Sequence, residues 1–178
     1  MGVTYTTAAA NTYVPIATTT LSSTASGVTF SSLGSYTDLV IIVTGYNNSA
    51  PNDSPIIRFN GDSGANYSDT EFWGTGSVAG SGKMSSNTSI TTQRAGGFTA
   101  SSTQPGMLII NVMNYSNSTT YKNALVRSGV PSATTYPSTE ASVGLWRNTA
   151  AITSVSVIFA STLFAIGSTF SIYGILAA

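Results

Sequence analysis

The chain of 178 residues contains neither cysteine nor histidine. Without cysteine it has no disulfides and no thiolate nucleophile, and without histidine it has no imidazole base or imidazole metal ligand. The stability of the fold must therefore come from side-chain burial and backbone hydrogen bonds. The two absences also remove the most frequent forms of nucleophilic and metal-dependent catalysis.

Charge is scarce as well. Six basic and six acidic residues cancel and make up 7% of the chain, whereas about a quarter of the residues in an average domain are charged. The sequence shows no basic patch, which argues against a nucleic-acid partner. Serine and threonine supply nearly a third of the residues instead. Because a surface of near-zero net charge tends to associate, we expect a subunit that is largely covered in an assembly.

Helical patterns are missing too, since glycine and proline interrupt the windows in which an amphipathic helix could form. Apolar residues alternate with other residues instead, as at Val155, Val157 and Phe159, which predicts β-strands with one face toward a core. We predict an all-β fold, an antiparallel β-sandwich with jelly-roll topology. The expected strands are residues 14–21, 27–32, 38–46, 55–60, 66–73, 87–93, 106–115, 121–128, 141–147, 152–159 and 168–175.

The domain organisation is expected to be simple. Residues 1–13 are small and polar without periodicity, which predicts an extended N-terminal arm, and residues 14–178 form a single β-sandwich domain. Tyr5 and Tyr13 of the arm are candidate assembly contacts. Residues 155–178 are long enough to cross a membrane, but their hydroxyl and glycine residues argue against membrane insertion.

Two apolar runs stand out within the domain. Residues 38–46 and 106–115 are almost continuously apolar, which predicts central strands that are covered on both faces or lie in a subunit contact. The sequence Asn60-Gly61-Asp62 predicts a tight turn, because asparagine and glycine tolerate positive φ. Loops are expected at residues 74–86, 95–105 and 129–140.

No catalytic constellation is visible, and we do not expect an enzyme or a cofactor. Neither lysine that could serve as a base, Lys83 or Lys122, lies in a Ser-x-x-Lys motif. Asp69 and Glu71 are two residues apart in a predicted strand and share a face, but two solvent-facing charges explain this spacing without a glycosidase site.

A calcium site built from Asp62, Asn66 and Asp69 is conceivable, because hard cations bind clustered oxygens. A turn held by hydrogen bonds between side chains and backbone explains these residues better, and no metal site is predicted.

Two arginines and three aromatic residues are candidate contacts. Arg58 and Arg147 lie in or beside apolar strands, where each can form an assembly contact by a bidentate bridge to a carboxylate such as Asp62 or Glu140. Tyr46, Tyr67 and Trp73 lie near loops. These rings belong either to the core or, alternatively, to a platform on which a glycan stacks. The candidate contacts are Arg58, Arg147, Tyr46, Tyr67 and Trp73.

Several segments are similar to sequences of a known class of proteins. They are Tyr13–Leu21, Tyr36–Val40, Arg58–Ser68, Gly144–Val157 and Gly167–Ile175. Together they resemble small virion proteins of tailed bacteriophages, including cyanophages, over residues 13–175. The resemblance implies a β-sandwich that serves as head decoration or as a tail-fibre part, without a transferable active site.

On this basis we expect a virion protein on the head surface, a cement or decoration protein that clamps neighbouring copies of the major capsid protein. The absence of heptads argues against a fibre shaft, and phage head decorations are often threefold, which favours a homotrimer. The alternative is a tail-fibre or receptor-binding module that contacts host surface glycan. A third possibility is a secreted carbohydrate-binding module.

Overall fold

The computed structural model describes residues 12–49, 53–92, 97–131 and 137–176. These ranges contain twelve β-strands, and no helix in them is long and apolar enough to cross a membrane. The strands are β1 (Tyr13–Thr20), β2 (Gly27–Ser31), β3 (Asp38–Gly45), β4 (Ile56–Phe59), β5 (Tyr67–Gly74), β6 (Ala79–Asn87), β7 (Ile90–Thr91), β8 (Gly106–Val112), β9 (Lys122–Val130), β10 (Ser138–Trp146), β11 (Ser154–Ile158) and β12 (Thr169–Ile175).

The strands form two antiparallel sheets. The large sheet has eight strands in the order β1-β12-β3-β8-β9-β10-β5-β6, and the small sheet has four in the order β2-β11-β4-β7. The predicted antiparallel β-sandwich is thereby confirmed. The jelly-roll topology is not confirmed, because a jelly roll arranges eight strands as two Greek keys.

The core lies between the inner faces of the two sheets. Leu39, Ile41 and Val43 point inward from β3, and Val155 and Val157 point inward from β11. Each such side chain contributes about 1.5–3 kcal/mol when it leaves water. The alternation seen in the sequence therefore produces the burial that holds the sheets together.

Large aromatic residues fill the same space. Phe30, Phe59 and Phe159 are all buried there. Phe159 also stacks on Phe164 at a centroid distance of 4.0 Å. Aromatic pairs add about 0.5–1.5 kcal/mol beyond the area that they bury.

The two apolar runs of the sequence are neighbours in the middle of the large sheet. They form β3 and β8, which pair along their whole length, as Ile41 with Ile110 and Ile42 with Ile109. The prediction of central strands is therefore confirmed. Ile41 and Ile110 are buried, whereas Ile42 points to the opposite face and is partly exposed.

One expected loop is a strand. Residues 74–86 were predicted to form a flexible loop, but Ala79–Asn87 is β6, the edge strand beside β5. Glycine is required there, because a Cβ on Gly80 would lie 2.4 Å from Cζ2 of Trp73. Backbone pairing outweighs the low strand propensity of a glycine- and serine-rich segment. The loop expected at 129–140 is shorter than predicted, because β9 ends at Val130 and β10 begins at Ser138. The described part of the loop expected at 95–105, residues 97–105, contains no strand, and residues 93–96 and 132–136 lie outside the described ranges.

The predicted turn at Asn60-Gly61 is confirmed. Both residues have positive φ, 53° and 68°, and the N–H of Asp62 donates to the carbonyl of Phe59 at 2.9 Å. This turn leads from β4 in the small sheet to β5 in the large one. It therefore forms a corner of the sandwich.

The N-terminal strand lies at the other edge of the large sheet. Tyr13, which was expected to close an extended arm, begins β1 and pairs with Ile175 of β12. Residues 1–11, including Tyr5, lie outside the described ranges. Pro15 follows in β1, where an edge position tolerates the missing N–H.

Candidate functional site

The outer face of the large sheet carries an apolar surface. Alternate residues of β3, β8, β9, β10 and β5 point away from the core there, and many of them are large and apolar. Phe72 is 66% exposed and Val143 is 54% exposed. We call this surface the outer patch; it comprises Ile42, Phe72, Met107, Ile109, Leu125, Arg127, Ala141 and Val143.

Strand register makes the outer patch continuous. One row across five strands consists of Ile42, Ile109, Arg127, Ala141 and Phe72. Neighbouring strands are about 4.8 Å apart, so the row is about 19 Å long. A sheet face of this kind is rigid, because its backbone is paired on both sides.

Shallow depressions cross the patch. One cavity of about 380 Å³ is lined by Phe72, Trp73, Arg127 and Thr139. A smaller one of about 140 Å³ lies between Phe72, Leu125 and Val143. Depressions between exposed apolar side chains are suited to receive protruding side chains of a partner.

The charges on this face are positive. Arg127 lies inside the outer patch, and its Nη2 donates to Oδ1 of Asn111 at 3.3 Å. Lys83 of β6 is exposed and lies opposite Thr70 of β5, whose side chain points outward. The hydrogen bond with Asn111 holds Arg127 against the sheet. Lys83 lies at the margin of the outer patch.

A second constellation of polar groups lies at the Asn60-Gly61 corner, around Asp62. Oδ2 of Asp62 accepts hydrogen bonds from Nε1 of Trp146 at 2.7 Å and from Nδ2 of Asn66 at 2.9 Å. Oδ1 accepts one from the N–H of Gly64 at 2.8 Å. The hydrogen bonds from Trp146 and Asn66 are the main reason that the pKa of Asp62 lies below its ordinary value. Asp62 therefore holds the turn together, as the alternative to calcium binding predicts.

Tyr67 is part of the same corner. It is fully buried, and its hydroxyl accepts a hydrogen bond from the N–H of Phe59 at 3.0 Å. Burial raises the pKa of the Tyr67 phenol to about 12. The structure thus corrects the interpretation of Tyr67 as a glycan contact, because a ring inside the core offers no face to a sugar.

This raised pKa predicts an alkaline loss of stability. The folded pKa lies above the unfolded value of about 10, so the stabilisation is complete below pH 10 and is lost as the pH rises toward 12. The loss attributable to Tyr67 should be about 2–3 kcal/mol. Denaturant unfolding between pH 8 and pH 12 measures it.

Tyr67→Phe is the matched variant. It should be less stable at pH 8, because the N–H of Phe59 loses its acceptor. Its stability should then fall less steeply between pH 10 and pH 12 than that of the wild type. Equal slopes in the two proteins would contradict the assignment to Tyr67.

The two predicted arginine contacts bind carbonyl groups of their own chain. Nε of Arg58 donates to the carbonyl of Thr88 at 3.1 Å. Nη2 of Arg147 donates to the carbonyl of Ala65 at 2.9 Å. Both arginines therefore connect neighbouring segments of their own chain, and their role as assembly contacts stays a prediction.

The remaining candidate aromatics are spread over the molecule. Tyr13 is 53% exposed and makes an edge-to-face contact with Tyr173 at 6.4 Å. Tyr46 and Trp73 are half-buried. Of the three residues considered for a glycan platform, only Trp73 lines the depression beside Phe72.

The position of Asp69 and Glu71 differs from the expectation. They share a face of β5, as their spacing predicts, but this is the inner face, where both are buried with Glu140 of β10. Oδ2 of Asp69 accepts a hydrogen bond from the N–H of Thr91 at 3.2 Å. The interpretation of Asp69 and Glu71 as solvent-facing charges was wrong. In the ranges that the structure describes, no group of acidic residues is arranged to hold a metal ion.

Comparison with protein-family models, with curated proteins and with solved structures finds no match. The site must therefore be judged from its own geometry.

Sequence reasoning located part of the outer patch. The runs that became β3 and β8 were expected to be covered on both faces or to lie in a subunit contact, and Ile42, Met107 and Ile109 lie on their open side. Phe72 was missed. The available signal was its position next to Trp73, because adjacent aromatic residues in a strand point to opposite faces and only one face can be the core.

Proposed function

We propose that this protein is a structural subunit of a tailed-phage virion, a cement protein that binds the outside of the head shell. The observation that carries the proposal is the outer patch. Its side chains are aliphatic, aromatic and cationic, which suits binding rather than chemical catalysis. Contiguous apolar surfaces on rigid elements are characteristic of contact sites.

The resemblance to phage virion proteins supports the same proposal. Two of the segments that carry it, residues 58–68 and 144–157, meet at the Asn60-Gly61 corner. Trp146 donates to Asp62, and Arg147 donates to Ala65. The similar residues are thus ones that determine the fold, as expected for a family that shares a sandwich rather than an active site.

A cement protein acts by mass action. A subunit that binds the expanded shell and not its separated subunits lowers the free energy of the shell, by an amount that grows with free concentration over Kd. The outer patch lies on a paired sheet, so little side-chain or loop ordering is needed on binding. The homotrimer is a separate prediction, which the solution mass of the purified chain tests.

A second candidate function is the tail-fibre or receptor-binding module. The depression lined by Phe72, Trp73 and Arg127 favours it, since aromatic rings beside a polar group form platforms for sugars. In that case isolated protein should bind host polysaccharide, whereas a cement protein should bind only undecorated heads.

The location of the protein on virions tests the proposal directly. Gold-labelled antibody should label the heads of purified particles in electron micrographs, and heads without the protein should release their DNA at a lower temperature. Gold at the tail tip would overturn the cement function in favour of receptor binding. Mass spectrometry that finds no peptide of this chain in purified particles would refute both.

A further inference from the structure

The acidic side chains of this chain are buried or half-buried, whereas the exposed charges that the structure describes lie on one face. All six acidic side chains lie within the described ranges. Asp69, Glu71 and Glu140 are buried on the inner face of the large sheet. The other three carboxylates are half-buried and accept backbone hydrogen bonds, Asp38 from Asn114, Asp53 from Ser54 and Thr162, and Asp62 from Gly64.

The exposed charges in the described ranges are cations. Of the charged residues that the structure describes, Lys83 and Arg127 are the two that are exposed, and both lie on the outer face of the large sheet. The formal net charge is zero, yet the surface around the outer patch is positive. Balanced composition thus hides a cationic and apolar face.

The two cations flank apolar side chains. Arg127 and Lys83 are separated by three strand spacings across the sheet and by two residues along the strands. Their Cα atoms are therefore about 16 Å apart. Phe72 and Val143 lie between them. A guanidinium has five N–H donors, and the contact with Asn111 uses one of them. Arg127 can therefore also donate two hydrogen bonds to a carboxylate in bidentate geometry.

We propose that the outer patch binds a protein surface that is both acidic and apolar. Carboxylates of the partner pair with Arg127 and Lys83, and its apolar side chains cover Phe72, Leu125 and Val143. This inference rests on the proposed function and deepens it, since it states the chemistry of the shell surface that the cement protein recognises.

Charge complementarity disfavours a second copy as the occupant. A twofold contact between two outer patches would bring Arg127 and Lys83 of both copies into one poorly solvated interface, where like charges repel. The carboxylates of the chain are buried or accept hydrogen bonds from its backbone, and none of them lies in the outer patch. An acidic partner supplies the missing charges, and two cations separated by apolar residues are too few for a nucleic-acid site.

Two valines provide a matched test of the apolar part. Val143 in the outer patch is 54% exposed, and Val78, in the turn before β6, is 56% exposed. Val143→Asp should weaken binding to undecorated heads at least about tenfold, and Val78→Asp should leave it unchanged. Melting temperatures must first show that both variants fold. Equal binding by the two variants would overturn the proposal.

Charge reversal tests the ionic part. Arg127→Glu and Lys83→Glu should each weaken head binding by about tenfold at low salt, and the difference should shrink at high salt, where charges are screened. Unchanged head binding by both variants would show that the partner is not acidic at this site. The cement function would still stand in that case, provided that the wild type binds undecorated heads.

A peptide probe separates this inference from the proposed function. A peptide of alternating glutamate and leucine should shift the NMR signals of Phe72, Leu125 and Arg127, and a peptide with lysine in place of glutamate should not. If the acidic peptide binds to the outer patch but the protein does not bind heads, the cement function is refuted, whereas the preference of the outer patch for an acidic and apolar partner is supported. Equal binding of both peptides, or self-association that Val143→Asp abolishes, would refute the acidic partner.

Discussion

Replacement of Trp146 by alanine is expected to lower the free energy of unfolding by about 3–5 kcal/mol. Trp146 is 1% exposed and packs between Phe59, at a centroid distance of 5.8 Å, and Tyr67, at 6.3 Å. The variant would leave a cavity at the corner where the two sheets are joined, and Asp62 would lose one of its three hydrogen-bond donors. Denaturant unfolding monitored by circular dichroism measures the change.

Trp146→Phe separates the hydrogen bond from the burial of the ring. It keeps an aromatic side chain but removes Nε1, so it should cost less than Trp146→Ala. The pKa of Asp62 should rise toward its ordinary value, because the bond from Trp146 is the largest cause of its lowering. NMR titration of the Asp62 carboxyl group measures this rise.

The pH dependence of stability should change accordingly. The folded pKa of Asp62 lies below the unfolded value, so the stabilisation is present above about pH 4 and is lost as the pH falls through the folded pKa. Trp146→Phe should show a smaller acid-induced loss than the wild type. If Trp146→Ala unfolds as the wild type does, the corner does not stabilise the sandwich.

The fold was largely predictable because its strands are apolar on a period of two residues. β3 and β8 combine this pattern with β-branched residues, and the Asn60-Gly61 turn has the two residue types that tolerate positive φ. β6 was not predictable, since its glycines and serines resemble a loop. It pairs with β5, where Trp73 lies over Gly80, and neither feature leaves a signal within β6 itself.

The candidate site was predictable only in part. A strand pattern shows which residues share a face, but a shift of one residue exchanges the inner and outer faces. Asp69 and Glu71 were therefore paired correctly and placed on the wrong side. Other polar residues, such as Ser128 and Ser142, are buried on the same inner surface, so this part of the interior is polar.

Gly106 is a position at which the smallest substitution should have a large effect. Gly106→Ala is expected to lower the free energy of unfolding by about 3 kcal/mol, the upper part of the usual range for overpacking. A Cβ there would lie 2.2 Å from Cδ1 of Phe98. Phe98 cannot move aside, because it is fully buried in edge-to-face contact with Phe159 and Phe164.

Gly129→Ala is the matched control for this overpacking. Gly129 lies in β9, which pairs with β8, and a Cβ there would meet its nearest atom, the carbonyl oxygen of Ser138, at 3.8 Å. This variant should be neutral or slightly stabilising, since alanine restricts the unfolded chain more than glycine.

A double-mutant cycle with Phe98→Leu identifies the cause of the loss at Gly106. If the clash with the ring is responsible, Gly106→Ala should cost clearly less in the Phe98→Leu background than in the wild type, although Phe98→Leu is itself destabilising. Additive losses would instead assign the cost to the backbone of β8. The aromatic cluster would then not be what requires glycine at this position.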